Sequence, residues 1–371
     1  MNSRVQRLRE ALAAAGLDAL LVGSPVEDIF KTYGANRRYL SGFTGSVGWL
    51  LVGADRAFIA VDFRYFEQAQ RQAPDFVLFK TEGGIENWFP RLVEEAGLGG
   101  KRIGYEPHGL TVATWQALQK AVQEMALESR PHLVAAPPLV EQLRAIKDEE
   151  ELAALERAVA LADEAFLAVA RRVEPGWTEE QVAWEIEKYA REHGAEGLAF
   201  PTIVAAGEWG AMPHAYPRPR PIAEGEPIVI DMGVRVDGYC SDLTRTIVLG
   251  RPDDRLRQVF DIVLAAQLTA EELVRPGMKG EEAHLLAHNV IAEAGYGEQF
   301  GHGLGHGVGL LVHEAPRLAK RSQDELKPGM TFTIEPGIYI PGWGGVRIED
   351  IVVLEETGAR VLSRAPKLLQ L

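Results

Sequence analysis

A phrase that occurs twice constrains this chain more than any other feature. VEPGWTEEQV at 173–182 is echoed by VRPGMKGEEA at 274–283, an offset of 101 residues (274 − 173 = 101), and Gly194 and Gly295 end the helical stretches that follow at the same offset. Each Pro-Gly breaks one helix, and the polar and acidic residues after it start the next. The echo continues: EGEPIVIDMG at 224–233 resembles KPGMTFTIEPG at 327–337, which aligns Asp231 with Glu335. The chain beyond residue 135 is therefore expected to be internally duplicated, each half a helix pair followed by a hairpin. The first helix of the first pair is predicted over 148–172, where Leu152, Leu155, Val159, Ala162, Phe166 and Val169 keep the 3.6-residue period.

Each hairpin carries two carboxylates. The stretch DMGVRVDGYCSD (231–242) turns at Asp237-Gly238, a strong two-residue hairpin signal. With that tip Val236 pairs with Tyr239 and Gly233 with Asp242. Asp231 then shares a face with Asp242 on the diagonal, about 7–8 Å away at the backbone. In the second half Glu335 and Glu349 lie symmetrically about Gly342, in a tip that also holds Gly344 and Gly345, so they face each other. A pseudo-two-fold axis would gather all four acids at one junction. Four clustered carboxylates repel unless cations lie between them. A pair of divalent ions about 3.5–4 Å apart meets that need, and hard carboxylates with one imidazole suit Mn, Co, Zn or Fe.

The first 135 residues read differently. Helices are predicted over 4–15, 63–72, 85–96 and 112–125, and strands over 19–22, 49–52, 57–61, 76–79 and 103–105. Such mixing is that of a compact α/β domain. Pro131, Pro137 and Pro138 punctuate the chain next. The expected division is 1–135 and 136–371, an α+β protein with the smaller α/β domain first.

Composition narrows the function classes. A net charge of −14 argues against a nucleic-acid partner or a basic membrane surface. The N-terminus lacks a signal-peptide pattern, and no stretch is long and apolar enough to span a membrane, so the cytoplasm is expected. Cys240 is the only cysteine, which leaves no internal disulfide and no thiolate-rich zinc site; it reads as packing.

Imidazoles come from FGHGLGHGVGLLVHE (300–314), whose five glycines allow close backbone approach to a ligand. His302 and His306 are four apart. His284 and His288 have the same spacing on a predicted helix, but without an acid at the zincin position they read as helix surface or core. His313-Glu314 is not a zincin pair either, because Arg317 stands where the second histidine belongs. Trp209 reads as a partly buried loop aromatic, or as lining a substrate mouth. Arg64 either pairs within its own domain or reaches a neighbouring site in an oligomer. The basic loop 315–324 either recognises a C-terminal carboxylate or faces solvent.

The ordered set Asp231, Asp242, His306, Glu335 and Glu349 resembles the dinuclear metallopeptidases of the pita-bread fold. TIEPGIY (333–339), GGVRIED (344–350) and GHGLGH (301–306) resemble their Xaa-Pro peptidase branch, aminopeptidase P and prolidase. YLSGFTGS (39–46) and DFRY (62–65) are more similar to aminopeptidase P. The resemblance implies a creatinase-like N-terminal domain and a pita-bread C-terminal domain. It implies two divalent ions, Mn first and Co, Zn or Fe as alternatives. Asp231 would bind one, Glu335 and His306 the other, and Asp242 and Glu349 both. Glu335 would also be the general base. His214 would contact substrate near the scissile bond, and His302 and His313 would line the proline site and polarise the carbonyl. Arg347 would organise the metal site or the substrate's carboxyl end. The expected activity is removal of an N-terminal residue from Xaa-Pro peptides, with Xaa-Pro dipeptide hydrolysis as the alternative. The partners implied are a proline-containing peptide and a second copy of the chain, as a homodimer. A creatinase-like amidinohydrolase, a methionine aminopeptidase and a non-catalytic relative remain rivals. The intact ligand set weighs against the first and third, and the N-terminal domain against the second.

Overall fold

The computed structural model describes residues 3–23, 34–368 and 370. The chain divides into two compact units, Met1–Arg144 and Ala145–Leu371. That division falls beyond the prolines, because the helix Leu139–Ala145 lies almost wholly in the first unit.

The first unit is built on a six-stranded sheet. Its order is Val77–Lys80, Ala57–Val61, Trp49–Gly53, Ala19–Val22, Arg102–Tyr105, His132–Ala135. The strand Ala19–Val22 is buried at every residue and runs parallel to Arg102–Tyr105 and antiparallel to Trp49–Gly53. An all-apolar run with neighbours on both sides is what a central strand needs. Leu21, Leu51 and Phe58 pack with Trp88, Phe89 and Leu92 of the helix Ile85–Ala96. That helix ends at Gly97, whose φ of 68° only glycine adopts freely. The edge strand His132–Ala135 has no fully buried residue, so it lacks the apolar signature that makes a strand legible. The helix predicted over 63–72 is split. Asp62 accepts from Arg64 N and starts a short 3-10 turn, Phe63–Tyr65, before the helix Phe66–Gln72.

The second unit bears out the duplication. The helices Glu149–Ala170 and Glu179–Glu192 form one pair, Asp254–Leu273 and Gly280–Glu293 the other. At the first Pro-Gly, Gly176 (φ 99°) donates to Ile222 O at 3.1 Å; at the second, Gly277 (φ 86°) donates to Leu326 O at 2.8 Å. Each half has its own core. One gathers Phe166, Ile186, Ile230, Val234 and Ile247, the other Val263, Ile291, Phe332, Ile338 and Val352.

Both hairpins change sheets midway. In the first, Pro227–Met232 pairs with Leu243–Val248, and beyond Gly233 the strand Val234–Val236 pairs with Tyr239–Cys240. Asp237 and Gly238 have φ of 51° and 83°, the two left-handed positions of a type I′ turn. In the second, Thr331–Ile334 pairs with Asp350–Glu355 and Gly337–Ile340 with Gly344–Arg347. The register is the same on either side of each break, so Gly233 stands opposite Asp242 and Glu335 opposite Glu349. Asp242, Glu335 and Glu349 sit where the ladders open, and Asp231 lies two residues before the first break.

Candidate metal centre

Side chains of a strand alternate faces, and that period assembles the site. Asp231 lies opposite Thr244 in the first hairpin. Asp242, Thr244 and Thr246 share one face, as do Thr333, Glu335, Gly337 and Tyr339 in the second. His306 comes from the strand Gly305–Gly307, where a β-bulge separates it from Gly307. Glycine is required there: a Cβ on Gly307 would sit 2.0 Å from Ala315 O, and one on Gly305 2.0 Å from Thr333 O.

The expected donors converge. His306 Nε2 is 3.6 Å from Asp242 Oδ2 and 3.3 Å from Glu335 Oε1. One donor atom each from Asp242, His306 and Glu349 lies within 4.8 Å of the others. Asp231 joins through Arg347, whose Nη2 donates to Asp231 Oδ2 at 2.6 Å. His306 Nδ1 is 3.1 Å from Gly307 O. A carbonyl only accepts, so Nδ1 carries the proton and Nε2 turns its lone pair toward the acids. A metal-ligating imidazole is held in this way. Thr244 Oγ1 donates to Glu349 Oε2 at 2.6 Å, which leaves Glu349 Oε1 buried with no partner; Asp231 Oδ1 is also buried and unpartnered.

The electrostatics state the same need. Burial, with Glu349 and Asp231 beside it, pushes the Asp242 carboxyl far above its ordinary range. Burial and Glu335 do the same to Glu349. Burial also raises Asp231, against the pull of Arg347. Burial would raise Glu335 as well, but without a cation a hydrogen bond from the protonated His306, together with the charges of His306, His302 and Arg347, outweighs it and holds the group at about 2. Burial opposes and Glu335 favours protonation of His306, and the net shift is upward. Three repelled acids and two orphaned carboxylate oxygens make a site short of positive charge. The donor set fits divalent cations.

The remaining expected residues surround this cluster. Arg347 is 3% exposed. It donates to Asp231, to Tyr339 Oη at 2.8 Å and to Thr244 Oγ1 at 3.1 Å. His302 Nδ1 is 2.7 Å from Gly303 O and its Nε2 is 2.9 Å from Tyr339 Oη. By the same logic Nδ1 carries the proton and the phenol donates to Nε2. Burial lowers the His302 pKa and raises that of Tyr339 to about 12, so both are neutral. The His313 ring meets the His306 ring edge-on at 4.2 Å, and burial followed by His306 lowers it to about 4. His214 is exposed, on a loop whose Pro213 carbonyl accepts from Arg347 at 3.5 Å.

Tyr339, Thr244 and Thr333 were not singled out from sequence. The period-two face was the signal, since each lies two or four residues from an acid on its own strand. His284 belongs to the core, fully buried against Phe300, and no second trio of metal-type donors comes together among the described residues. Cys240 is buried and its thiol is pushed up to about 12 by burial, which makes it inert packing. Arg64 pairs with Asp62 at 2.8 Å within its own domain. Trp209 is a half-buried loop aromatic that donates to Tyr216 O.

Known proteins agree with this architecture. Residues 153–356 match the model of metallopeptidase family M24, and residues 4–146 match the creatinase/prolidase N-terminal domain. The Xaa-Pro dipeptidase of Pyrococcus furiosus is 34% identical over 99% of both chains. A solved Xaa-Pro dipeptidase from Bacillus anthracis is 39% identical, with a TM-score of 0.90 over 100% of this chain and 99% of that one. A solved X-Pro aminopeptidase from Thermotoga maritima is 34% identical, with a TM-score of 0.85 over 96% and 98%. With both domains matched in order along the chain and its acids gathered at the hairpin junction, the chain belongs to metallopeptidase family M24, in the pita-bread Xaa-Pro peptidase branch with a creatinase/prolidase N-terminal domain.

Proposed function

We propose that this chain is a metal-dependent Xaa-Pro dipeptidase. The observation that carries a metallopeptidase reading is the buried cluster of Asp231, Asp242, His306, Glu335 and Glu349, with two carboxylate oxygens left unpartnered. Dipeptide specificity is favoured over the aminopeptidase expectation by the Xaa-Pro dipeptidase names of the Pyrococcus furiosus and Bacillus anthracis relatives. The aminopeptidase expectation keeps the support of the Thermotoga maritima structure and of the segments 39–46 and 62–65, which resemble aminopeptidase P.

In this reading the five residues would hold two divalent ions, Mn first, with Asp242 and Glu349 shared between them. When bound, the pair supplies Lewis acidity and a water of lowered pKa, which cleavage of an imide at neutral pH requires. Glu335 is ionised and takes the proton of the attacking water. His214 contacts the substrate near the scissile bond, His302, whose two ring nitrogens are engaged by Gly303 and Tyr339, lines the proline site, and the neutral His313 donates to the developing oxyanion. Arg347 holds Asp231 in place. The reading also includes a cytoplasmic homodimer, and light scattering on the eluted protein tests the dimer.

The experiment compares an Xaa-Pro dipeptide with an Xaa-Pro-Yaa tripeptide on one Mn-loaded sample. The dipeptide is expected to be cleaved and the tripeptide at least about tenfold more slowly, a loss of the size one misplaced carboxylate contact causes. Equal or faster cleavage of the tripeptide would restore the aminopeptidase expectation.

A further inference from the structure

The geometry points to Glu179 and Arg218 as positioning residues that fix the loop presenting His214 to the acid cluster. This rests on the proposed function for what His214 does, but not for how its loop is held. Glu179 opens the helix Glu179–Glu192 and is 0% exposed. Its carboxylate accepts from Ala206 N at 3.0 Å and from Arg218 N, Nε and Nη2 at 2.8, 3.0 and 2.7 Å. Residues 206 and 218, the two ends of the loop that carries His214, are thus tied to one carboxylate. The Arg218 guanidinium lies 4.2 Å over the Trp209 ring, whose Nε1 donates to Tyr216 O at 3.1 Å. The loop is cross-braced on both sides of His214.

Its other face is held against the second hairpin. A Cβ on Gly345 would lie 2.0 Å from Gly210 O, so the two backbones touch. Pro213 O, next to His214, accepts from Arg347 Nη1 at 3.5 Å, and Arg347 also donates to Asp231. The duplication shows that the carboxylate is no general need of this fold. The residue 101 positions after Glu179 is Gly280, whose Cβ would meet Arg317 O at 2.0 Å. That helix grips its crossing segment without a fully buried carboxylate: Gly280 N donates to Asp324 O at 2.8 Å, and the half-buried Glu281 accepts from Arg321 N at 2.9 Å. The half that carries His214 instead places the fully buried Glu179 there, paired with the half-buried Arg218. Burying that carboxylate costs desolvation, which its hydrogen bonds offset.

The test compares Glu179→Gln and Arg218→Lys with the parent, all loaded with Mn. On an Xaa-Pro dipeptide kcat should fall roughly 10- to 100-fold, the penalty for a catalytic group displaced by about 1 Å. KM should move less than about threefold, and metal content should not change. In a His214→Ala background Glu179→Gln should cost nothing further, because the two act as one unit. Full additivity with His214→Ala, or a loss confined to metal content, would overturn the proposal. The second readout needs no substrate: the ¹⁵N-imidazole resonances of His214 should shift or broaden in Glu179→Gln, and an unchanged spectrum overturns it. If Glu179→Gln does not fold, Arg218→Lys, which keeps the charge but loses the fork, decides by the same criteria. A parent protein inactive on every Xaa-Pro peptide would overturn the functional reading, and the imidazole comparison alone would then decide the positioning.

Discussion

Asp242 shows how a single residue can serve function against stability. It is buried beside Glu349 and Asp231, and its pKa is driven far up by burial and by those neighbours. Asp242→Asn should therefore raise the melting temperature of the chelator-treated protein, by roughly 2–4 °C for each kcal/mol of repulsion removed. The same variant should gain nothing from added Mn and lose Xaa-Pro hydrolysis. Differential scanning calorimetry with and without metal reads both signs. His284 gives a pH effect of opposite origin. Burial, with His288 and Lys320 as the next contributors, lowers its pKa to about 4, and only Glu281 pulls the other way. An unfolded imidazole takes its proton near ~6.5. The neutral His284 thus contributes stability that is complete above that value and is lost as pH falls through about 4. In His284→Phe the urea midpoint should fall less between pH 7 and pH 4 than in the parent.

At the scale of elements, glycine is doing two separate jobs. Gly277 lies in the turn between two helices with φ 86° and has no atom near its absent Cβ, so Gly277→Ala should cost only the left-handed backbone penalty, about 1 kcal/mol. Gly307 has an ordinary backbone, but an added Cβ would lie 2.0 Å from Ala315 O. Gly307→Ala should displace the strand carrying His306 and weaken Mn binding at least about tenfold, well beyond its cost to the melting temperature; calorimetric titration separates the two. The first kind of glycine was legible in the repeated Pro-Gly and in Asp237-Gly238, because local turn chemistry dictates those positions. The second was legible only as a glycine-rich run, since what crowds it is a segment brought up by tertiary folding. The acids were legible for the same reason as the turns. Two residues set symmetrically about a hairpin tip must face each other, and Glu335 and Glu349 do. The edge strand His132–Ala135 and the split at Tyr65–Phe66 were not, because half-exposed edges and side-chain caps leave no periodic trace.

For the molecule as a whole, the duplicated unit converges on a site neither half completes. The first half brings Asp231 and Asp242, the second His306, Glu335 and Glu349, and the halves are joined beneath them by hydrogen bonds from Thr246 to Arg347 and from Thr244 to Glu349. Arg245, 1% exposed, binds the Asp350 carboxylate and the carbonyls of Glu349 and Ala365. Arg245→Met should cost about 3–5 kcal/mol, as breaking a buried pair does, and lower metal affinity with it. The long-range brace of Arg245 is invisible to any local pattern, whereas the ligand set was readable because its order along the chain matches a known family. The direct test of the central claim is a Mn titration of chelator-treated protein, by calorimetry, with hydrolysis of an Xaa-Pro dipeptide followed on the same sample. The account predicts two ions per chain, activity that rises with occupancy, and loss of both in Glu349→Gln. Undiminished hydrolysis by protein stripped of divalent ions, or by Glu349→Gln, would contradict it.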